Sequence, residues 1–251
     1  MKSQLSVIVI TRNEEKNIAE CLRSVDWAND IVVVDACSTD KTAEIARTST
    51  DKVFVRAWEG YAAAKTFALG KTGNDWVLWL DADERVTPAL KEEIQALLEA
   101  PRHRAYEVAR RAYFLGKWIR HCGWYPGYVI RLFEKQSVRF SESNVHESIM
   151  YEGSVGRLSN DLLHYTDDTL FHYTAKLNRY TSLAASDLRK KGSAFSLISV
   201  LVRPPFMFLK MYILRRGFLD GRHGLVLSLL SSGYVFTKYA KLWQGNPDSG
   251  R

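Results

Sequence analysis

Trp76-Val77-Leu78-Trp79-Leu80-Asp81-Ala82-Asp83 is the stretch from which the rest of the chain can be read. Five consecutive apolar residues describe a strand covered on both faces, as in the centre of a parallel sheet. Two carboxylates separated by one small residue then stand at the carboxyl end of that strand, where open α/β sheets bind ligands. Hard divalent cations prefer carboxylate oxygens together with substrate phosphates over an all-protein cage. Asp-x-Asp therefore reads as a metal–diphosphate site. The competing reading is that short acidic pairs cap helices or sit in solvent.

The amino-terminal segment extends the pattern. Leu5-Ser6-Val7-Ile8-Val9-Ile10 is a β-branched run that stops at Thr11-Arg12-Asn13-Glu14-Glu15. Ile18, Cys21, Leu22 and Val25 follow at helical spacing. A second buried strand, Ile31-Val32-Val33-Val34, ends in Asp35, and Ser38-Thr39-Asp40 supplies N-cap residue types for the next helix. A third strand is expected at Val53-Phe54-Val55. Strand–helix–strand–helix–strand with short connections implies a parallel sheet with helices on both faces. Thr11 to Glu14, Asp35, and Asp81 with Asp83 would then converge on one sheet edge.

The chain has 251 residues, enough for one large domain or one domain with an appendage, and 46% hydrophobic content is ample for a core. Cys21, Cys37 and Cys122 lack metal spacing and leave an odd count, so a reduced, cytosolic setting is expected. The first apolar run is too short for a signal peptide. Charge is uneven. Residues 171–251 hold thirteen Lys or Arg against three acids, a net of +10, whereas the first 170 residues carry −3.

That basic third is also apolar, with runs at 195–202, 206–214 and 225–237. A span needs roughly 20 apolar residues, and Arg203, Pro204, Pro205 and Lys210 interrupt the longest candidate. Short apolar segments with basic flanks fit helices lying in an anionic membrane surface. The alternative is a helical cap with an ordinary basic face. Nucleic acid is not the expected partner, because prolines and Met/Leu/Ile runs track phosphates poorly. Residues 1–170 are thus expected to form an α/β domain, and residues 171–251 a helical extension.

Val9-Ile10-Thr11-Arg12-Asn13-Glu14-Glu15, Val32-Val33-Val34-Asp35-Ala36-Cys37-Ser38-Thr39-Asp40 and Trp79-Leu80-Asp81-Ala82-Asp83-Glu84 together resemble family 2 glycosyltransferases of the GT-A fold. Within that family the chain is most similar to lipopolysaccharide-core β-glucosyltransferases of Gram-negative bacteria. Cys37 departs from the pattern, since a glycine usually stands there. The resemblance implies an inverting transfer from a UDP-sugar, expected to be UDP-glucose, to a glycolipid acceptor at the inner face of the inner membrane. It places Thr11, Glu14, Asp35, Lys65, Asp81 and Asp83 around the nucleotide sugar. Asp83 would be the main ligand of Mg²⁺ or Mn²⁺, with Asp81 and His164 as further ligands.

Such a displacement needs one carboxylate to take the acceptor hydroxyl proton. Glu147, in Asn144-Val145-His146-Glu147, is the candidate, placed after a Gly127-x-x-x-Arg131 segment that matches the family, and Glu142 is the rival. His146, Trp124 and Arg131 are candidate acceptor contacts: indole faces stack on sugars, and arginine suits anionic groups. Two readings outside this one stay open. A nucleotidyltransferase would normally show a Gly-rich basic loop after the first strand, and a nucleotide-sensing membrane adaptor would lack turnover. Another cell-envelope or polyprenyl-phosphate acceptor is open as well.

Overall fold

Strand β1 (Leu5–Thr11) is buried at every position, and it lies between β2 (Asp30–Asp35) and β4 (Trp76–Asp81), parallel to both. The computed structural model describes residues 3–140 and 149–245. Between these strands lie α1 (Ile18–Arg23), α2 (Thr42–Arg47), β3 (Val53–Val55) and α3 (Tyr61–Lys71). The parallel order β3-β2-β1-β4 matches the expectation, as do the buried Ile18, Cys21, Leu22 and Val25. Two apolar clusters form the core: one joins Val7, Val9, Leu78 and Leu80 to α1, and the other joins Ile8, Ile10, Val77 and Trp79 to Ala68 and Leu69 of α3. Each fully buried aliphatic side chain contributes about 1.5–3 kcal/mol, so β1 and β4 are the firmest part of the sheet.

Beyond β4 the sheet becomes mixed. The chain continues through β5 (Glu84–Val86), α4 (Pro88–Leu97), β6 (Ala105–Phe114), β7 (Lys117–Trp118), β8 (Gly127–Glu134), β9 (Val138–Phe140), β10 (Ile149–Tyr151), β11 (Val155–Arg157) and β12 (Leu162–Asp167). The sheet order runs β3-β2-β1-β4-β8-β6-β12-β5, with β4/β8, β6/β8 and β12/β5 antiparallel. The parallel sheet expected from the sequence is thus found in the β3-β2-β1-β4 half, and the second half is mixed, with β11 parallel to β6 beside the antiparallel pairs. A parallel pairing needs a crossover of a dozen or more residues; from β6 to β12 the described residues contain no α-helix, and the one parallel pair there, β6/β11, is bridged by the intervening strands and loops.

The chain divides into two compact units, one comprising Met1–Arg111 with Gly127–His164 and the other Ala112–Pro126 with Tyr165–Arg251. The second unit is built on α5 (Leu170–Lys190), α6 (Leu197–Leu201), α7 (Arg203–Leu209) and α8 (Gly221–Gln244). Helix α5 starts at Thr169, whose side chain accepts from the His172 N–H, and it packs on α8. Lys241 of α8 donates to Asn178, Thr181 and Ser182 of α5, so part of the basic excess is internal. Asp220, 2% exposed, accepts from the backbone N–H groups of Arg120 and His121, which ties the 112–126 segment into this unit.

The two prolines do not break the apolar run. Pro204 and Pro205 occupy the first turn of α7, where the missing N–H groups would have no intrahelical partner. The helical path Leu197–Leu214, finished by one π-helical turn, is 18 residues long and apolar enough by length and composition to cross a membrane.

Candidate active site

The carboxyl ends of β2, β1 and β4 are neighbours, because the register sets Thr11 opposite Asp35 and Ile10 opposite Asp81. The loops that leave β1 and β2 are stitched together. Asn13 N–H donates to Ser38 Oγ at 2.8 Å, Glu14 N–H to Thr42 Oγ1 at 2.8 Å, and Thr39 N–H to Asn13 Oδ1 at 2.8 Å. The capping residue types at 38–40 are used largely for this purpose. Ser38 donates to Asp35, Asp40 accepts from Thr42, and α2 begins at Thr42 with no side-chain cap at its N-cap. Cys37 adopts φ 54°, the left-handed conformation that favours glycine, so the turn keeps its tight form without a glycine.

Asp35 is fully enclosed and its carboxylate accepts both the N–H and the hydroxyl of Ser38. Thr11 Oγ1, equally buried, has no partner among the described residues. An orphaned hydroxyl beside a closed loop pair is a ready contact for an entering polar ligand. Glu14 accepts from the Asn17 amide at 2.8 Å.

At the end of β4 the two acids part ways. Asp81 Oδ2 accepts from Arg131 Nη2 at 2.6 Å, and the same nitrogen lies 2.6 Å from Glu84 Oε1. Arg131 is 2% and Glu84 0% exposed. Glu84 Oε2 also accepts the Asp81 N–H at 3.0 Å, and Arg110 stands 3.7 Å from the carboxylate. Trp79 underlies this group: Arg131 lies 4.0 Å and the ammonium of buried Lys65 lies 3.4 Å from its ring centroid. One guanidinium serves two carboxylates here. Burial pushes the Asp81 carboxyl up, but Arg131, Lys65 and His164 outweigh it and hold the group below its usual range. Glu84 moves the other way, raised by complete burial and by the Asp81 charge against the pull of Arg131. Burial would lower Arg131, yet its two partners raise it above the ordinary guanidinium value.

Asp83 points elsewhere. Its Oδ2 is 3.4 Å from His164 Nε2, which reaches it from β12 through the β5/β12 pairing. Two adjacent ligands of an octahedral Mg²⁺, each about 2.0–2.1 Å from the ion, stand roughly 3 Å apart. The Asp83–His164 pair fits that spacing, and both side chains keep some exposure. No group of three or more His, Cys, Asp or Glu gathers as a ligand set among the described residues. Mg²⁺ is commonly held by one or two carboxylates while substrate phosphates and waters complete the shell, and Asp83 supplies one such carboxylate.

The structure thus brings together Thr11, Asp35, Lys65, Asp81, Asp83 and His164. Arg131, read from the sequence as an acceptor contact, is enclosed beneath the strand end with its guanidinium taken by Asp81 and Glu84. Trp124 belongs to the second unit, edge-on to Phe114 at 6.2 Å. Glu142, His146 and Glu147 lie outside the described residues. Glu84 went unread in the sequence although its signal was there: with Val86 buried, the two-residue strand period puts Glu84 on the same inward face. An inward carboxylate needs a cation, and Arg131 at 2.6 Å, with Arg110 further off at 3.7 Å, supplies it.

The model of glycosyl transferase family 2 matches residues 6–148. Over 256 residues the chain is 32% identical to the lipopolysaccharide core biosynthesis glycosyltransferase LpsC of Rhizobium meliloti, covering 97% of this chain and 93% of that protein. It is also 32% identical to an uncharacterised glycosyltransferase of Rickettsia typhi, covering 95% of this chain and 86% of the relative. Among solved structures, TarS 1–349 of S. aureus in complex with UDP-GlcNAc aligns over 95% of this chain and 83% of its own at 16% identity, with a TM-score of 0.49. A family match over more than half the chain, joined to relatives matched nearly end to end, leaves one assignment for this parallel half-sheet with its Asp-x-Asp strand end: the chain belongs to glycosyltransferase family 2 and has the GT-A fold.

Proposed function

We propose that this enzyme transfers a sugar, glucose as the expected one, from a UDP-sugar to a lipid-linked saccharide such as the lipopolysaccharide inner core, with inversion, at the cytoplasmic face of the inner membrane. The observation that carries the donor side is the Asp83–His164 pair at 3.4 Å beside an Asp81 carboxylate held by Arg131. Asp83 and His164 would hold Mg²⁺ or Mn²⁺, which supplies Lewis-acid stabilisation of the leaving diphosphate. Thr11 and Asp35 line the nucleoside side, and Lys65 adds positive potential next to Asp81. The acceptor class rests on the end-to-end likeness to LpsC.

Glu147 is the proposed base that takes the acceptor hydroxyl proton. Glu147→Gln keeps size and removes proton acceptance, so kcat should fall at least ~10²-fold while donor affinity holds. A variant that keeps full turnover, with Glu142→Gln inactive, would move the base to Glu142. The experiment that tests the function is a donor screen: divalent-dependent UDP release from UDP-glucose, UDP-galactose and UDP-N-acetylglucosamine, with and without core lipopolysaccharide acceptor. Release from none of the three would defeat the proposal.

A further inference from the structure

We propose that residues 197–219 form an in-plane membrane-insertion surface, a helical ridge that seats in the headgroup–acyl boundary of one anionic leaflet. The inference deepens the functional reading on its acceptor side, but its observations all lie in the second unit and do not depend on the donor. The apolar residues of this segment are outside rather than inside. Leu197, Ile198, Leu201, Val202, Phe206 and Leu209 are each 52–69% exposed, and the surface continues through Ile213, Leu214, Phe218 and Leu219. Only 17% of the Leu197–Leu214 helical path is buried. Soluble surfaces rarely leave a contiguous apolar patch of this kind uncovered.

Charge selects the occupant. Residues 188–219 contain seven Lys or Arg (189, 190, 191, 203, 210, 215 and 216) and no Asp or Glu. Arg203, Lys210, Arg215 and Arg216 are exposed along the ridge itself. Apolar residues interleaved with cations, without a single acid over 32 positions, complement an anionic lipid surface. A second copy of the chain would bring the same positive charge against itself.

The packing selects the orientation. One side of the ridge is committed to α8: Ser199, Pro204 and Met211 are buried, Ser232 Oγ of α8 donates to the Pro204 carbonyl at 2.8 Å, and Arg203 bonds Tyr239 of α8. The free side alone faces outward. A perpendicular span would carry Arg203 and Lys210 to hydrocarbon depth, whereas an in-plane ridge lets both heads stay at headgroup level while the apolar side chains enter. The 18 residues that satisfy the length for a span therefore lie along the surface instead.

The test uses the full-length protein with vesicles of phosphatidylcholine alone or mixed with phosphatidylglycerol. At low salt, at least ~10-fold more protein should float with the mixed vesicles, and an alkaline carbonate wash should strip it. The exposed triple variant Leu201→Ser, Phe206→Ser, Leu209→Ser should lose ~10-fold or more of that binding. Its UDP release in vesicle-free solution should match the wild type, which separates failure of this surface from failure of the donor reading. Equal flotation with both vesicle types, a triple variant that floats like the wild type, or carbonate-resistant protein would overturn the proposal. So would a dimer in light scattering that the triple variant converts to monomer without any flotation, since that assigns the ridge to a second copy.

Discussion

Asp83→Ala is expected to abolish divalent-dependent sugar transfer, by ~10³-fold or more, and to leave the protein folded. The magnitude follows from the several kcal/mol that a divalent ion contributes to developing charge on a leaving diphosphate. The folded state should survive because Asp83 supports little else: its described interaction is with His164 at 3.4 Å, and the strand before it is held by its apolar residues. His164→Ala should reproduce a smaller version of the same loss, with weaker metal dependence rather than none. The measurement is UDP release against Mg²⁺ and Mn²⁺ concentration, alongside circular dichroism. Unchanged turnover of Asp83→Ala, or full wild-type activity in EDTA, would remove the metal from the mechanism.

Arg131→Met is expected to destabilise the first unit by about 3–5 kcal/mol, the range for breaking a buried ion pair from one side. The substitution keeps an unbranched chain against Trp79 but removes the guanidinium shared by enclosed Glu84 and half-buried Asp81, leaving Glu84 with only the more distant Arg110 at 3.7 Å. The pH dependence gives the interaction a signature. In the wild type the folded Asp81 is held below its ordinary value, so its contribution is present above about pH 3.9 and is lost as pH falls through the lowered folded value. In the variant both carboxylates rise, and groups raised on folding stabilise at acid pH and lose that contribution as pH climbs through their folded values. The deficit should therefore be smallest near pH 4 and deepen toward neutrality. Urea unfolding at several pH values checks this, and a deficit below about 1 kcal/mol at pH 7 would show that Arg131 does not anchor the strand end.

These expectations separate what can be read locally from what cannot. Strands β1 and β4 were legible because their residues are apolar on both faces, a pattern with few alternatives. The adjacency of Thr11, Asp35 and Asp81 followed from parallel order alone, since consecutive parallel strands end at one edge. The mixed half was not legible: β6 to β12 are joined by loops whose pairing depends on long-range register rather than on periodicity. The same limit hid the place of Arg131. Its sequence neighbourhood suggests an open loop, and only the β4/β8 pairing carries it under Asp81.

By itself the sequence determined the parallel core, the polar strand ends, the family likeness and the charge asymmetry of the carboxy-terminal third, because each is a property of residue type and spacing. Tertiary structure alone decided which acid does what. Asp81 and Asp83 are indistinguishable in Asp-Ala-Asp, yet β4 ends at Asp81 and the chain turns at Ala82 and Asp83, so the approach of β8 and β12 sends one to Arg131 and the other to His164. It also decided which side of the Leu197–Leu214 run is free, since hydropathy counts residues but only packing against α8 determines which of them remain uncovered.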